Sequence, residues 1–219
     1  MQTSTRLLSL FRSRPGARRA TALLAVVALG WLPLGSGCTR PQGDNSSSFL
    51  IISSLNAASG ADPSKLGGVL FSDVITCVDA TGAPASTFCL ADKAPTIFGD
   101  PAQVKFELGM KNPSLQPTSA NFITINRYTV TFARTDGGTA VPAPIESAFT
   151  VTVTDGDAQG GFFLVPGSAK MTAPLAALGF GGEIFTIATV TFFGVDQAGR
   201  AVQATATIGV TFANYGDPQ

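Results

Sequence analysis

Over residues 202–212 apolar and polar positions alternate without a break. Val202, Ala204, Ala206, Ile208, Val210 and Phe212 alternate with Gln203, Thr205, Thr207, Gly209 and Thr211. A period of two gives a strand with one apolar and one polar face, as in an antiparallel sheet packed on one side. The same alternation runs through Val104, Phe106, Leu108 and Met110, and through Phe149, Val151 and Val153. Between Phe122 and Phe132 the parity changes: Ile123 and Ile125 share one phase, while Tyr128, Val130 and Phe132 share the other. An unbroken strand would send the two sets to opposite faces. A bulge near Asn126-Arg127 restores a single inward face. Further strands are expected at about 49–53, 68–78, 161–165 and 184–195. The last carries apolar residues on both parities and reads as central and largely buried.

Turn chemistry punctuates these runs. Asp196-Gln197-Ala198-Gly199-Arg200 has the Asp and Gly placement of a short hairpin loop. Asp136-Gly137-Gly138 and Asp155-Gly156-Asp157 close earlier strands in the same way. The best helix candidate is Lys170–Leu178, with Pro174 suited to a first turn and Gly179 to a stop; an irregular connection reads equally well. About eight short strands with turn signals and no strong helix predict an all-β fold, an antiparallel sandwich in one domain, 49–219, with long loops.

The first 37 residues break this pattern. They hold Arg6, Arg12, Arg14, Arg18, Arg19 and no acid, whereas residues 38–219 hold nine bases and fourteen acids. The formal neutrality of the 219-residue chain therefore hides a +5 leader and a −5 body. After Arg19 an apolar stretch runs to Leu34, long enough for a signal h-region and short of the roughly 20 residues of a membrane span. Leu34-Gly35-Ser36-Gly37-Cys38 then resembles a bacterial lipobox, with Gly35 where the usual Leu stands. The resemblance implies a signal peptide over 1–37 and a lipidated Cys38. An ordinary signal peptide cut near Gly37 and an uncleaved anchor are the alternatives. Two or more acyl chains, at about 0.8 kcal/mol per buried CH₂, hold a protein stably in a leaflet. The polar residues 39–48 read as a tether, so 38–48 form the lipidated Cys and its linker. Thr39 stands where inner-membrane retention in Gram-negative lipoproteins is associated with Asp. The expected location is thus the cell envelope, the outer membrane before the inner.

With Cys38 given to lipid, Cys77 and Cys89 remain as an even pair. They lie twelve apart with Gly82 and Pro84 between them to turn the chain. In an oxidising compartment they would close a loop worth about 3 kcal/mol. Two buried free thiols are the alternative.

The stretch Ala188–Val202, continuing through Ile208-Gly209-Val210-Thr211-Phe212, resembles the closing hairpin of bacterial immunoglobulin-like domains in exported lipoproteins. The resemblance spans roughly 25 residues and implies an immunoglobulin-like sandwich at the cell envelope. It brings no catalytic residues.

Candidate chemistry is sparse. With no His, a Ser-His-Asp or Cys-His unit and an imidazole zinc site are excluded. An acidic body gives no expectation of nucleic-acid binding, and no motif calls for a cofactor. Asp155 and Asp157 could offer oxygens to Ca²⁺, although two Asp around a Gly also make a plain turn. Gly179-Phe180-Gly181-Gly182 lacks the spacing of a phosphate loop. Glu107, Glu146 and Glu183 are the Glu residues available for a carboxylate pair, and nothing in their spacing joins them. The single Trp, Trp31, lies in the leader, which leaves Tyr128 and Tyr215 as the body's other polar aromatics for glycan stacking; Tyr128 sits on an apolar stripe. Threonine rows offer either a flat uncharged contact face or a solvated one. The expectation is a structural or protein-interaction module without catalysis, held to the membrane through Cys38. The alternative is a calcium- or glycan-binding domain.

Overall fold

Ten strands carry the chain through the region that a computed structural model describes, residues 46–84 and 94–215. The leader, Cys38, residues 39–45 of the tether and Cys89 lie outside the described residues. The strands are β1 (Ser48–Ala57), β2 (Val69–Asp73), β3 (Thr76–Val78), β4 (Ala94–Thr96), β5 (Asp100–Met110), β6 (Ile123–Arg134), β7 (Ile145–Val153), β8 (Ala158–Val165), β9 (Glu183–Asp196) and β10 (Ala201–Ala213). They form one sheet in the order β1-β5-β8, a larger one in the order β2-β10-β9-β6-β7, and the small pair β3-β4.

The fold is all-β, as the alternation predicts. The expectation of a purely antiparallel arrangement is corrected at one place: β2 runs parallel to β10, with Val69 opposite Gly209 and Asp73 opposite Ala213. β1 belongs to the other sheet. The loop after it therefore crosses between sheets, and the next strand arrives beside the last one in the same direction. The single strand expected at 68–78 is divided into β2 and β3; β3 pairs with β4, and the Gly82 turn folds Pro84 back onto Val78.

The parity change in β6 is a bulge. Its register against both β7 and β9 shifts between Ile125 and Arg127. Ile123, Ile125, Tyr128, Val130 and Phe132 are consequently all buried on one face. Gly194 sits opposite, where a Cβ would press on the Thr124 carbonyl and the Ile125 Cα; the close approach at the bulge requires glycine.

The two larger sheets face each other across one core. Its centre is aromatic: Phe106 and Phe162 from one sheet meet Tyr128, Phe149 and Phe192 from the other, with Phe106–Phe192 at 5.0 Å and Tyr128–Phe162 at 4.8 Å between centroids, both edge-on. Such pairs add about 0.5–1.5 kcal/mol each beyond burial.

Two further expectations change. β9 is central in its sheet but buried on one face only. Ile184, Ala188, Val190 and Phe192 point inward, while Phe185, Ile187 and Val195 are exposed. The segment expected to be either a helix or an irregular link is the latter: a four-residue helix at Gly167–Lys170 and a 3-10 turn at Leu175–Phe180.

Candidate functional site

Two buried carboxylates organise the ends of the strands. The first is Asp196, at the last position of β9, where the chain turns toward β10. Gly199, with φ of 76°, takes the left-handed position of that turn. The Asp196 carboxylate caps the loop it begins. One oxygen accepts from the Ala198 N–H at 3.0 Å and the Arg200 N–H at 2.9 Å; the other accepts from Arg200 Nε at 2.8 Å. A fourth donor comes from far away in sequence, the Ser46 hydroxyl at 2.8 Å. Burial pushes this carboxyl up, but the Arg200 N–H, the Ser46 hydroxyl and the guanidinium together outweigh it, and it is held below its ordinary value.

Ser46 through Ser48 are thereby part of the body. Ser46 and Ser48 are buried. The Ser48 hydroxyl donates to the Asn121 carbonyl at 2.8 Å, and Asn121 Nδ2 donates to Ser47 Oγ at 2.7 Å. This shortens the tether read from composition. A run of serines looks like a linker, yet here three hydroxyls each have a partner across the fold.

The second carboxylate is Asp100, which opens β5 at the opposite end. It is completely buried beside Lys170, itself 1% exposed. Lys170 Nζ donates to Asp100 Oδ1 at 2.7 Å and to the Asp73 carbonyl at 2.7 Å. The same oxygen accepts from the Gly60 N–H at 2.9 Å, and Oδ2 accepts from the Ser72 hydroxyl at 2.6 Å. Asp73 extends the knot, accepting from Thr76 Oγ1 at 2.9 Å and the Tyr215 N–H at 3.1 Å. Residues from β2, β5, the short helix and the C-terminal segment thus meet at one point. Burial drives the Asp100 carboxyl above its ordinary value, against the pull of Lys170, Ser72 and Gly60. The knot ties the fold and offers no reacting geometry: each carboxylate oxygen already accepts from a protein donor. A hollow of about 230 Å³ beside Lys170, lined by Val74, Ile75, Ile97 and Leu175, adds no second ionisable group.

The residues singled out in the sequence are dispersed. Asp155 and Asp157 lie exposed in the loop between β7 and β8. Glu107 is on β5; Glu146 on β7 pairs with Arg127 at 3.0 Å; Glu183 opens β9. Among the described residues no group of three or more His, Cys, Asp or Glu could hold a metal ion. Tyr128 is core, and its hydroxyl donates to the Phe163 carbonyl at 2.9 Å. Tyr215 packs edge-on against Phe71 with centroids 5.9 Å apart. Cys77 is buried on β3; its expected partner lies outside the described residues. The threonine rows are outward, and Thr191–Thr205 and Thr124–Thr152 each bring their hydroxyls to 3.1 Å.

Two of the surface grooves among the described residues bear on a binding role. One, of about 670 Å³, runs between β7 and β8 over Tyr128, Phe149 and Phe162. The other, of about 440 Å³, lies at the bulge and is lined by Asn126, Arg127, Phe193 and Gln203. There the guanidinium of Arg127 sits 3.9 Å above the Phe193 ring. The sequence reading missed Asp100, Lys170 and Ser46. Asp100 and Lys170 bore one weak signal, a charge inside or beside an apolar run; Ser46 bore none. No helix among the described residues is long and apolar enough to cross a membrane. No protein-family model, curated protein or solved structure matches the chain.

Proposed function

We propose that the protein is a lipid-anchored envelope protein whose immunoglobulin-like β-sandwich serves as a structural or protein-interaction module and performs no catalysis. The immunoglobulin-like reading rests on two sheets facing one core and on the β9–β10 hairpin, the segment that carries the resemblance. The anchored reading rests on the basic leader, the apolar stretch and Cys38. The observation that carries it furthest is the Ser46–Asp196 bond. Only eight positions separate Cys38 from Ser46, which is pinned to the body, a reach of about 26 Å even when fully extended. A lipid on Cys38 therefore holds the end of the body bearing the β9–β10 turn next to the membrane, and the Asp100 end away from it. Cys77 and Cys89 are assigned to a disulfide that staples the β3–β4 hairpin.

Growth with an alkyne-tagged palmitate, followed by membrane fractionation, tests the anchor. The wild type takes the label and sediments with the envelope, whereas Cys38→Ala loses both properties. Equal labelling of the two would overturn the reading.

A second reading, glycan binding, is favoured by the groove at the bulge, where Asn126 and Gln203 offer amides beside an aromatic ring. Glycan-array screening of wild type against Arg127→Ala/Gln203→Ala decides it. Binding that the double variant abolishes would favour this reading over the first.

A further inference from the structure

Where the tether enters the body, Ser47 and Ser48 clasp a loop, the connection from β5 to β6. The Lys111 N–H, at the start of that loop, donates to the Ser47 carbonyl at 3.0 Å. Asn121, at its far end, accepts from the Ser48 hydroxyl through its carbonyl at 2.8 Å and donates from Nδ2 to Ser47 Oγ at 2.7 Å. Residues 112–121 contain no charged side chain. Pro113 takes the second position of a tight turn. In it the Leu115 N–H donates to the Asn112 carbonyl at 3.1 Å, and Asn112 Oδ1 accepts from the Ser114 N–H at 3.1 Å. The turn presents Leu115, which is 54% exposed. Phe49, the residue after Ser48, is 41% exposed on β1, where its ring lies over Gly109 of β5. Two large apolar side chains thus flank the entry of the tether. Another loop at this end, 154–157, is of a different kind. It follows Val153, which is opposite Ile123, and it carries the exposed Asp155 and Asp157.

We infer that the turn around Leu115 rests on the lipid leaflet that holds the anchor, with the Leu115 side chain buried among the headgroups. The inference rests on the anchored reading and adds to it the surface that meets the membrane. Three observations commit the loop to lipid. First, the chain between anchor and loop is short. The eight positions from Cys38 to Ser46 reach about 26 Å at most, and the loop is bonded to the next two residues, Ser47 and Ser48. A loop fastened at the root of the tether stays close to the leaflet. Second, its charge suits a headgroup surface. Anionic headgroups repel carboxylates and attract bases; residues 112–121 hold no acid, and the residue before them is Lys111. Asp155 and Asp157 keep the 154–157 loop in water. Third, the turn offers a side chain without burying its backbone. Leu115 enters the headgroup layer while the peptide groups of the turn stay hydrated, so no backbone hydrogen bond is lost. One Leu does not hold a free protein on a membrane. Here the tether makes the contact intramolecular, and a weak contact suffices. The consequence is orientation: the body stands with the β5–β6 loop on the leaflet and the β7–β8 loop lifted from it.

Tryptophan quenching reads this contact directly, because Trp31 is the single Trp of the chain. In a Trp31→Phe background, one Trp is placed either at Ser114, beside Leu115, or at Gly156, where a Cβ would meet nothing. Each full-length variant is expressed, purified from cell envelopes and reconstituted into phosphatidylcholine vesicles brominated near the carbonyl end of the acyl chains. Ser114→Trp should be quenched, and Gly156→Trp, at the same end of the body, much less. Adding Leu115→Glu to Ser114→Trp should abolish the excess while the protein stays acylated and floats with the vesicles. Ser114, Leu115 and Gln116 are all exposed; if Ser114→Trp fails to accumulate, Gln116→Trp carries the test. In protein that floats with the vesicles, equal quenching at the two loops, or quenching that Leu115→Glu does not lower, overturns the inference and leaves the anchored reading standing. Protein that carries no acyl chain and does not float overturns both.

Discussion

Asp196 and Asp100 are both shut off from solvent, at opposite ends of the same strands, and their carboxyls are shifted in opposite directions. Asp196 sits at a turn and collects two backbone N–H groups, a hydroxyl and a guanidinium that is itself 38% exposed. Its negative charge is met by donors at the rim, and it is held ionised. Asp100 also has an ammonium, a hydroxyl and one N–H, but the whole cluster lies in the interior, where removing charge from water dominates. Burial alone therefore does not set the direction of the shift; the balance between the carboxyl's own desolvation and its hydrogen-bond donors does. The two sites also differ in what they hold. Asp196 secures the point where the chain enters the body. Asp100 gathers β2, β5, the short helix and the C-terminal segment.

The largest effect is expected from breaking the interior pair on one side. Lys170→Met leaves Asp100 buried without its counter-charge and should cost about 3–5 kcal/mol in urea unfolding. Adding Asp100→Asn, whose amide oxygen still accepts from the Gly60 N–H while its Nδ2 donates to the Ser72 hydroxyl oxygen, should return much of that loss. If the double variant is as unstable as the single, the charge pair is not what the knot depends on.

Asp196→Ala comes next, at about 2–3 kcal/mol, since a buried carboxylate with four donors is removed. Ser46→Ala should cost about 1 kcal/mol and make the bond before β1 more open to proteolysis, with no comparable change at Lys170.

Acid titration separates the two carboxylates by sign. The folded-state value of Asp196 lies below that of the unfolded chain, so its contribution is complete above about pH 4 and is lost as pH falls through the folded value. Asp100 is raised on folding and acts in the other direction, favouring the folded state as pH falls through its own folded value. Asp196→Asn should flatten the acid limb of stability measured by thermal unfolding; Asp100→Asn should not.

The smallest effect is predicted at Tyr128→Phe, about 0.5 kcal/mol, from losing the hydroxyl's bond to the Phe163 carbonyl while the ring stays packed.

The same contrast explains what was legible in the sequence. The β6 bulge could be placed because side-chain parity is a local quantity: two apolar sets out of phase require one extra residue between them. The Asp196 turn could be read for the same reason, since three of its four donors lie within four positions. Its fourth donor, Ser46, is 150 positions away and hid in a run of serines with the composition of a linker. Asp100 and Lys170 lie 70 positions apart and meet only once both sheets have formed. The parallel placement of β2 beside β10 and the one-sided burial of β9 were hidden likewise. Alternation reports that a strand has faces; it does not report which strand lies beside it, or whether an apolar face meets the core or the outside.

The most direct test of the anchored-module account is the intact mass of the protein purified from cell envelopes, without reduction. The predicted mass is that of Cys38–Gln219 carrying acyl chains, less two hydrogens for the Cys77–Cys89 bond. A mass matching an unacylated chain, or one that still contains the leader, would contradict it.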